Sequence, residues 1–260
     1  MRFGRTVNMI RNLQNWDAYL LYKLKGKKGP DFTFQLRDGY KVSVPRQVIP
    51  EFKESLFEEV YWSRLPAKLL NMQQPVVLDV GANVGFFSIS CHCRLNNPRV
   101  IAFEPIARNF VFLQKNAGRL PADRFTFLHQ ALNDREGELV LKFNSAQDIT
   151  TSASLFDNKH GADEELVSCT SLEAVMKNYE LDHIDLLKLD CEGAEYNILY
   201  NSPQDIFKRV NNIALETHQG PGEKENREAM AAWLKSQGYT VKSDGGDMLW
   251  GYRSAKDWVS

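Results

Sequence analysis

Short apolar segments separated by longer amphipathic stretches run along the chain from residue 75 to its end. An apolar segment of about four to eight residues bounded by turn residues is typical of a buried strand, and helical periodicity fills the stretches between. The pattern predicts five parallel strands, near residues 76–80, 99–104, 125–129, 184–189 and 212–216. Because parallel neighbours need crossover connections, helices should cover both faces of the sheet.

Two further segments predict an antiparallel pair near the end of the chain. Residues 239–242 and 248–252 flank a glycine-rich turn, which is the signal of a closing hairpin. Residues 138–143 alternate apolar and polar positions and predict another strand. The fold class is therefore α/β, with a Rossmann-like, seven-stranded, doubly wound sheet.

The chain before the sheet has a different pattern. Residues 5–24 predict one helix, which a segment rich in lysine and glycine, residues 25–30, brings to an end. Residues 32–36 and 40–44 alternate around Asp38-Gly39 and predict a β-hairpin.

A mostly helical segment leads from the hairpin into the sheet. It covers residues 52–70, and Pro66 interrupts it. We therefore predict two parts, an N-terminal helical and hairpin extension of residues 1–74 and an α/β domain of residues 75–260.

Composition and cysteine usage place the chain among ordinary globular proteins. Of its 260 residues, 43% are hydrophobic and 25% are charged. No apolar segment approaches the roughly 20 residues that a membrane span needs, and no signal-peptide pattern opens the chain. The four cysteines lie inside apolar segments, which favours reduced thiols. We therefore expect a cytoplasmic protein.

Charge is unevenly distributed along the chain. The net charge is −1, yet residues 1–30 carry seven lysines and arginines and one aspartate. This basic segment predicts either a helix packed on the domain or a peripheral contact with an anionic membrane or an acidic partner. The acidic remainder would repel a phosphate backbone, so no nucleic-acid partner is expected.

The first predicted strand ends in an acid followed by a glycine-rich turn, Asp79-x-Gly81-x-Asn83-x-Gly85. Glycine permits a tight turn and leaves no Cβ in the way of a close ligand. A pyrophosphate binder would need G-x-G-x-x-G, whereas a carboxylate at the turn suits a cationic ligand. S-adenosylmethionine carries both an amine and a sulfonium.

A second acid ends the next strand at Glu104-Pro105, 23 residues after Gly81. An acid in this position can accept hydrogen bonds from both ribose hydroxyls of an adenosine. Taken alone, these two features leave NAD open as an alternative cofactor.

Acids and a histidine follow the fourth and fifth parallel strands, whose carboxyl ends meet at one edge of the sheet. So many acids need a cation nearby, which could be a sulfonium, Lys188 or a divalent ion such as Mg²⁺ or Mn²⁺. The metal ligands we predict for such an ion are Asp190, Glu192, Glu216 and His218.

The same cluster could carry out proton transfer. His218 has the side chain best suited to act as a general base, and Glu216 could hold its tautomer. Transfer of a methyl group requires alignment of the acceptor oxygen and removal of its proton. The predicted catalytic residues are therefore Lys188, Asp190, Glu216 and His218.

These residues resemble the FkbM-type S-adenosylmethionine-dependent methyltransferases. The likeness rests on Leu78–Ser88, Ala102–Pro105, Asn116, Ile184–Glu195 and Glu216-Thr217-His218. The resemblance implies a class I methyltransferase fold, in which Glu104 holds the ribose and Ala131-Leu132 border the adenine. The cofactor-binding residues it predicts are Asp79, Gly81, Asn83, Gly85, Glu104, Pro105, Ala131, Leu132 and Asp190.

The function that the resemblance implies is O-methylation of a sugar, a glycan or another natural-product small molecule. N-methylation or nucleic-acid methylation is an alternative, but its Asn/Asp-Pro-Pro-Tyr/Phe signature is absent where the chain reads Asp190-Cys191-Glu192-Gly193. Another alternative is a non-catalytic protein that binds S-adenosylmethionine. The extension would form a lid, an acceptor contact or a dimer contact, so a homodimer is one expectation.

Overall fold

The computed structural model describes residues 2–25, 31–143, 149 and 163–254. The strands in this part of the chain are β1 (Phe32–Gln35), β2 (Lys41–Val44), β3 (Val76–Val80), β4 (Arg99–Phe103), β5 (Phe125–Leu128), β6 (Ala131–Asn133), β7 (Gly137–Phe143), β8 (Asp163–Ser171), β9 (Leu186–Leu189), β10 (Asn212–Glu216), β11 (Thr240–Ser243) and β12 (Met248–Tyr252). The α-helices are α1 (Arg2–Asn12), α2 (Asp17–Lys25), α3 (Ile49–Lys53), α4 (Ala67–Leu70), α5 (Phe86–Arg94), α6 (Ala107–Ala117), α7 (Leu172–Asn178), α8 (Ala194–Asn201), α9 (Gln204–Phe207) and α10 (Arg227–Ser236).

Seven of these strands form the main sheet, in the order β11-β12-β10-β9-β3-β4-β5. β9, β3, β4 and β5 run parallel to their neighbours, as does β10 to β9. β12 pairs antiparallel with both β10 and β11, which is the predicted closing pair. The predicted fold class, a Rossmann-like seven-stranded doubly wound sheet, is confirmed.

Helices cover both faces of this sheet because its parallel strands are buried on each side. On one face Leu187 and Leu189 of β9 share an apolar cluster with α7, α8 and α10. On the other face Leu186 and Trp250 pack with α5 and the N-terminal residues. A fully buried leucine contributes about 1.5–3 kcal/mol relative to an exposed one, so this layered core stabilises the sheet.

A separate three-stranded sheet, in the order β6-β8-β7, stands beside the end of β5. The predicted strand at residues 138–143 is its edge strand β7. β8 was not predicted, although Val167 and Cys169 are buried and alternate with the exposed Leu166 and Ser168. This sheet forms one wall of the site described below.

The prediction of one helix over residues 5–24 is wrong, because the chain forms α1 and α2 with a break between them. Leu13 makes a β-bridge with Leu36 of the hairpin. The amide of Gln14 donates to the carbonyl of Gln35, and the amide of Gln35 donates to Asn15 Oδ1, both at 2.7 Å. These tertiary hydrogen bonds outweigh the helical propensity of the segment. Residues 26–30, and with them the predicted lysine-glycine ending, lie outside the described residues.

The predicted hairpin is confirmed, with Phe34 opposite Val42. The prediction of a mostly helical segment over residues 52–70 holds only in pieces. α3 passes into a π-helical turn at Glu54–Glu58, and Glu59, with a φ of 53°, ends it. A 3₁₀ turn and the short helix α4 follow. The left-handed residue redirects the chain toward the sheet edge.

The N-terminal part packs against the α/β part through one continuous apolar cluster. Trp250 Nε1 donates to the carbonyl of Tyr61 at 2.9 Å, and Trp62 Nε1 donates to Ser90 Oγ at 2.8 Å. These contacts anchor the turn after Glu59 beside the carboxyl edge. The division at residue 74 stays a prediction.

The basic N-terminal segment leaves apolar side chains in solvent. Val7 and Ile10 of α1 and Leu20 and Leu21 of α2 are exposed. None of the helices in the described ranges has the length and apolar character needed to cross a bilayer. The peripheral membrane contact stays a prediction.

Candidate active site

The turn after β3 places main-chain atoms at the carboxyl edge of the sheet. Gly81 has a φ of 75°, and a Cβ atom there would lie 1.8 Å from the carbonyl oxygen of Asp190. Only glycine therefore allows the ends of β3 and β9 to approach this closely. The amides of Gly81 and Ala82 donate to the carbonyl oxygen of Phe103 at 3.1 and 2.9 Å. Neighbouring strands thus fix the turn from two sides.

Asn83 and Glu104 connect this turn to the end of β4. The amide of Asn83 donates to Glu104 Oε2 at 2.8 Å. Glu104 Oε1 accepts from the amide of Ile106 at 3.0 Å and from Asn109 Nδ2 at 3.3 Å. Asn83 Oδ1 is buried, and no group in the described residues donates to it. An open acceptor beside a buried carboxylate suits a ligand with hydroxyl and amine donors.

Burial sets the protonation of Glu104, which is only 4% exposed. Desolvation outweighs the hydrogen bonds from Ile106, Asn83 and Asn109 and raises the pKa of Glu104 to about 7. A ligand that donates further hydrogen bonds to this carboxylate would favour its charged form. Ligand binding and loss of the Glu104 proton are therefore coupled.

A pocket of about 670 Å³, measured with its mouth, lies between the turn and the three-stranded sheet. We call it the Glu104 pocket. Leu139 and Leu141 of β7 form part of its apolar lining; the prediction of a strand at 138–143 did not reveal this role. Seven of the nine residues predicted to bind the cofactor line this pocket, namely Gly81, Asn83, Glu104, Pro105, Ala131, Leu132 and Asp190.

The other two predicted cofactor residues, Asp79 and Gly85, lie behind the turn. Asp79 is completely buried, and its Oδ2 accepts from Ser88 Oγ at 2.8 Å. Gly85 has a φ of 89°, and a Cβ there would lie 3.2 Å from the Cβ of Ala117. Both residues support the turn from inside the protein, and a direct contact with the cofactor stays a prediction.

A second pocket, of about 390 Å³, adjoins the first. We call it the Tyr61 pocket. It shares Gly81, Asn83 and Asp190 with the Glu104 pocket, so the two meet at the turn and the end of β9. The rest of its wall comes from the N-terminal part, the turn after β3, the start of α5 and β9, namely Glu51, Glu54, Ser55, Tyr61, Ala82, Val84, Phe86, Phe87 and Lys188.

The N-terminal part brings two acids to the Tyr61 pocket that were not predicted. Desolvation raises the pKa of Glu51. Desolvation and the charges of Glu51 and Glu216 together raise the pKa of Glu54 to about 7. Glu51 Oε2 is buried and accepts no hydrogen bond from the described residues. The pocket therefore offers carboxylate oxygens to a polar ligand with hydrogen-bond donors.

Lys188, predicted to be catalytic, is a buried cation beneath the turn. Burial lowers the pKa of its ammonium, but the charges of Asp79 and Asp190 outweigh burial and raise it. Lys188 Nζ lies 3.2 Å from Asp79 Oδ1 and 3.7 Å from Asp190 Oδ2. It also donates to the carbonyl oxygen of Gly81 at 2.7 Å. The lysine is thus charged and held by the turn.

Asp190, which lines both pockets, accepts a hydrogen bond that was not predicted. The hydroxyl of Tyr61 donates to Asp190 Oδ2 at 2.6 Å. Burial and the charge of Asp190 raise the pKa of Tyr61 well above its ordinary value, so the phenol keeps its proton. The two residues are 129 positions apart in the chain, and no sequence motif links them.

His218 lies between two glutamates at the rim of the site. Its Nδ1 is 3.2 Å from Glu195 Oε1, and its Nε2 is 3.6 Å from Glu192 Oε2. Burial lowers the pKa of His218, but the hydrogen bond and charge of Glu195, together with the charges of Glu192 and Asp190, outweigh it and raise the pKa to about 9. His218 is therefore an imidazolium at neutral pH. Its predicted role as a general base requires a pH above about 9 in the ligand-free protein.

Glu195 is completely buried and holds this arrangement together. Its Oε1 accepts from the amide of His218 and its Oε2 from the amide of Gly193, each at 2.8 Å. Glu216, predicted to be catalytic, ends β10 but lines neither pocket. Burial and the charge of Asp190 raise the pKa of Glu216. A role for Glu216 in the reaction stays a prediction.

The predicted metal ligands are not brought together as a set. Within residues 2–25, 31–143, 149 and 163–254, no three histidine, cysteine, aspartate or glutamate side chains are placed to hold one ion. Asp190 Oδ2 is engaged by Tyr61 and Lys188, and His218 by its two glutamates. Glu192 is one of these two glutamates, and Glu216 lines neither pocket. We therefore derive no step through a metal.

Comparison with known proteins gives a family match that covers most of the α/β part of the chain. Residues 79–241 match the family described as "Methyltransferase FkbM domain". The chain is 26% identical over 226 residues to the AMB antimetabolite synthetase AmbE of Pseudomonas aeruginosa, covering 72% of this chain and 11% of that protein. The chain therefore spans only a small part of this relative.

Two relatives of similar size carry names that describe O-methylation. The chain is 24% identical over 189 residues to the 2-O-methyltransferase NoeI of Sinorhizobium fredii, covering 66% of this chain and 76% of that protein. It is 26% identical over 195 residues to the 31-O-demethyl-FK506 methyltransferase FkbM of Streptomyces tacrolimicus, covering 65% of this chain and 74% of that protein.

Proposed function

Because the chain belongs to the FkbM family of S-adenosylmethionine-dependent methyltransferases, we propose that it methylates a hydroxyl group of a small molecule. The acceptor class we propose is a sugar, a glycan or another natural product. The names of NoeI and FkbM, which both describe O-methylation, support this choice. The observation that carries the proposal is the meeting of two pockets at Gly81, Asn83 and Asp190.

We assign the Glu104 pocket to S-adenosylmethionine, which supplies an electrophilic methyl group on its sulfonium. Glu104 would accept the ribose hydroxyls, as its burial and position at the end of β4 favour. Asn83 Oδ1, an acceptor without a partner in the described residues, would accept from a donor of the methionine end. Ala131, Leu132 and β7 would give the adenine an apolar wall.

We assign the Tyr61 pocket to the acceptor. Asp190 lines both pockets, and in this proposal it orients the hydroxyl and receives its proton. Glu54 provides a second carboxylate on this side, with a pKa of about 7 that suits proton transfer near neutral pH. His218, as an imidazolium between Glu192 and Glu195, would balance the charge of the rim.

Binding and transfer can be tested separately. Calorimetric titration with S-adenosylmethionine, S-adenosylhomocysteine and NAD should give binding of the first two alone. Labelled S-adenosylmethionine would then be incubated with nucleotide-sugars, glycolipids and polyhydroxylated secondary metabolites, with added Mg²⁺ or with a chelator. Label on the oxygen of one compound supports the proposal. Label on nitrogen or nucleic acid, or tight cofactor binding without transfer to any hydroxyl compound, would contradict it.

A variant of the site gives a second test of the same proposal. Asp190→Asn should keep S-adenosylhomocysteine binding within about tenfold and lower methyl transfer by about 100-fold or more, because general-base catalysis contributes about that much. Asp205→Asn, which changes an exposed aspartate of α9, serves as the matched control. Unchanged transfer by Asp190→Asn would remove Asp190 from the reaction.

A further inference from the structure

Lys188 borders the Tyr61 pocket, but its ammonium is engaged by groups of the protein itself. Its side chain is 3% exposed, and its ammonium has three N–H donors that must find acceptors inside the protein. Three acceptors surround Nζ: the carbonyl oxygen of Gly81 at 2.7 Å, that of Val80 at 3.2 Å and Asp79 Oδ1 at 3.2 Å. Each belongs to the end of β3 or to the turn that follows it. The ammonium therefore holds the end of β3 and the turn together, although the side chain also borders the Tyr61 pocket.

Aromatic rings close the remaining side of the ammonium. Nζ lies 5.3 Å from the ring centroid of Tyr61 and 5.8 Å from that of Phe87, within the range of a cation–π attraction. The two rings pack edge to face at 5.2 Å. The hydroxyl of Tyr61 also holds Asp190, whose Oδ2 faces the same ammonium at 3.7 Å. We call this arrangement of Lys188, Asp79, Asp190, Tyr61 and Phe87 the lysine cage.

We propose that Lys188 is a positioning residue: its ammonium fixes the Gly81 carbonyl and the Asp79 and Asp190 carboxylates in the arrangement that receives the cofactor, and Tyr61 from the N-terminal part closes the cage. This goes beyond the proposed function, because it assigns Lys188 to cofactor binding and gives a residue of the N-terminal part a role in the site. The turnover measurement below rests on the proposed function, whereas the binding measurements do not.

Removal of the lysine charge should act on the turn through the buried acids. Without Lys188, Asp79 keeps only Ser88 Oγ as a side-chain donor among the described residues that contact it. A buried carboxylate without a counter-ion is strongly unfavourable, so the β3 end must shift or Asp79 must take up a proton. The carbonyl oxygen of Gly81 also loses its hydrogen bond from the lysine. A second substitution that removes the Asp79 charge should relieve part of this effect.

The first experiment measures S-adenosylhomocysteine binding by calorimetry. Lys188→Met should weaken binding by about 30-fold or more, and Lys188→Met with Asp79→Asn should bind at least about fivefold more tightly than Lys188→Met alone. Lys208→Met, which removes an exposed lysine paired with Asp205, is the matched control and should bind as the unaltered protein does. Binding by Lys188→Met within threefold of the unaltered protein would overturn the proposal.

Partial rescue is the result that a simple packing role cannot produce. If Lys188→Met fails to fold, a folded double variant that binds S-adenosylhomocysteine supports the charge mechanism. If the double variant also fails to fold, or binds no better than a folded Lys188→Met, the charge-based role is wrong. Thermal unfolding of each variant without ligand separates loss of folding from loss of binding.

The second experiment tests Tyr61 while keeping its ring. The affinity of Tyr61→Phe for S-adenosylhomocysteine should stay within about threefold of that of the unaltered protein. With an acceptor found in the labelling experiment, its kcat should fall about tenfold with little change in the KM for S-adenosylmethionine. An unchanged kcat would remove Tyr61 from the cage. If the unaltered protein methylates no acceptor, the proposed function fails, while the binding experiment still decides the role of Lys188.

Discussion

The glycine turn and the charged rim lie next to each other at the carboxyl edge, yet they are built from different kinds of atoms. The turn, residues 79–85, is shaped by amides and carbonyls of β3 and β4 and by a left-handed glycine. The rim consists of charged side chains that pair with one another, namely Glu192, Glu195 and His218, while Lys188 and Asp190 join the rim to the turn.

The difference has a consequence for how each region responds to change. Apart from its contacts with the Lys188 ammonium, the turn is held by main-chain hydrogen bonds, which depend on backbone conformation and hardly on pH. A rim held by ion pairs depends on which groups carry protons. Glu104 links the two, since it is a titrating side chain that accepts hydrogen bonds from the turn. Substitutions and pH should therefore separate the regions.

The largest effect is expected for Gly81→Ala, which breaks the turn. A Cβ atom at 1.8 Å from a main-chain oxygen, at a φ of 75°, forces the strand ends apart. The free energy of unfolding should fall by about 3 kcal/mol or more, and S-adenosylhomocysteine binding should be lost at every pH. Urea unfolding and calorimetry measure both quantities.

Gly245→Ala is the matched control for this prediction. Gly245 has a similar φ of 90°, but a Cβ there would meet nothing within 4 Å. Its substitution should cost only about 1 kcal/mol of backbone strain and leave binding unchanged. Equal effects of the two substitutions would show that strain, and not the close approach to Asp190, makes Gly81 necessary.

The next effect concerns the rim and the protonation of His218. The pKa of about 9 in the folded protein lies above the ordinary value of 6.5. The charged imidazolium therefore stabilises the fold fully below pH 6.5, and this contribution, at most about 3 kcal/mol, disappears as the pH rises through about 9.

Urea unfolding at pH 6.5 and pH 9.5 measures this contribution. The unaltered protein should lose more unfolding free energy between the two pH values than His218→Gln does. His129→Gln, at a half-exposed histidine 4.0 Å from Glu165, should behave as the unaltered protein. The same pH dependence in all three proteins would mean that the rim does not hold His218 in its charged form.

The same contrast explains how much the sequence could predict. The turn and the segment Lys188–Glu195 are each a short, continuous piece of the sequence. The strand pattern and the spacing of acids and glycines therefore predicted that both lie at the carboxyl edge of the sheet. The seven-stranded sheet and its antiparallel closing pair followed from the strand pattern in the same way. Seven of the nine predicted cofactor residues line the Glu104 pocket because they all follow strands of this sheet.

Features that depend on distant parts of the chain escaped prediction. Tyr61 meets Asp190 only because Trp250 and Ser90 hold the turn after Glu59. α1 and α2 are separate helices because residues around Leu13 form hydrogen bonds with the hairpin. Helical periodicity in the sequence cannot predict such a contact. The proton on His218 depends on Glu195. From its position in the sequence, Glu195 is only an acid in the first turn of a helix. Tertiary contacts and local charge, not propensity, decided each of these features.

A smaller effect is expected for the pH dependence of ligand binding at Glu104, which accepts a hydrogen bond from the turn. Below a pH of about 7, Glu104 is protonated in the ligand-free protein and accepts hydrogen bonds less well. The affinity for S-adenosylhomocysteine should fall by up to about tenfold per pH unit below 7 and should be constant above about 8. Calorimetry between pH 6 and 8.5 measures this dependence.

Two variants assign this pH dependence to Glu104. Glu104→Gln should bind about tenfold more weakly at pH 8 and lose the dependence on pH, because its amide does not titrate. Glu228→Gln, at an exposed glutamate of α10, should retain both the affinity and the pH dependence. A dependence that survives in Glu104→Gln would assign the proton to another group.

The smallest effect is expected at the apolar wall, which neither main-chain geometry nor charge controls. Leu139 lies on β7 and lines the Glu104 pocket, whereas Leu166 on the adjacent strand β8 is 62% exposed. Leu139→Ala removes apolar area from the proposed adenine side and should weaken S-adenosylhomocysteine binding about three- to fivefold at every pH. Leu166→Ala, which shortens the same side chain in the same small sheet, should leave binding unchanged. Equal affinities for the two variants would place the adenine away from β7 and limit the wall to Ala131 and Leu132.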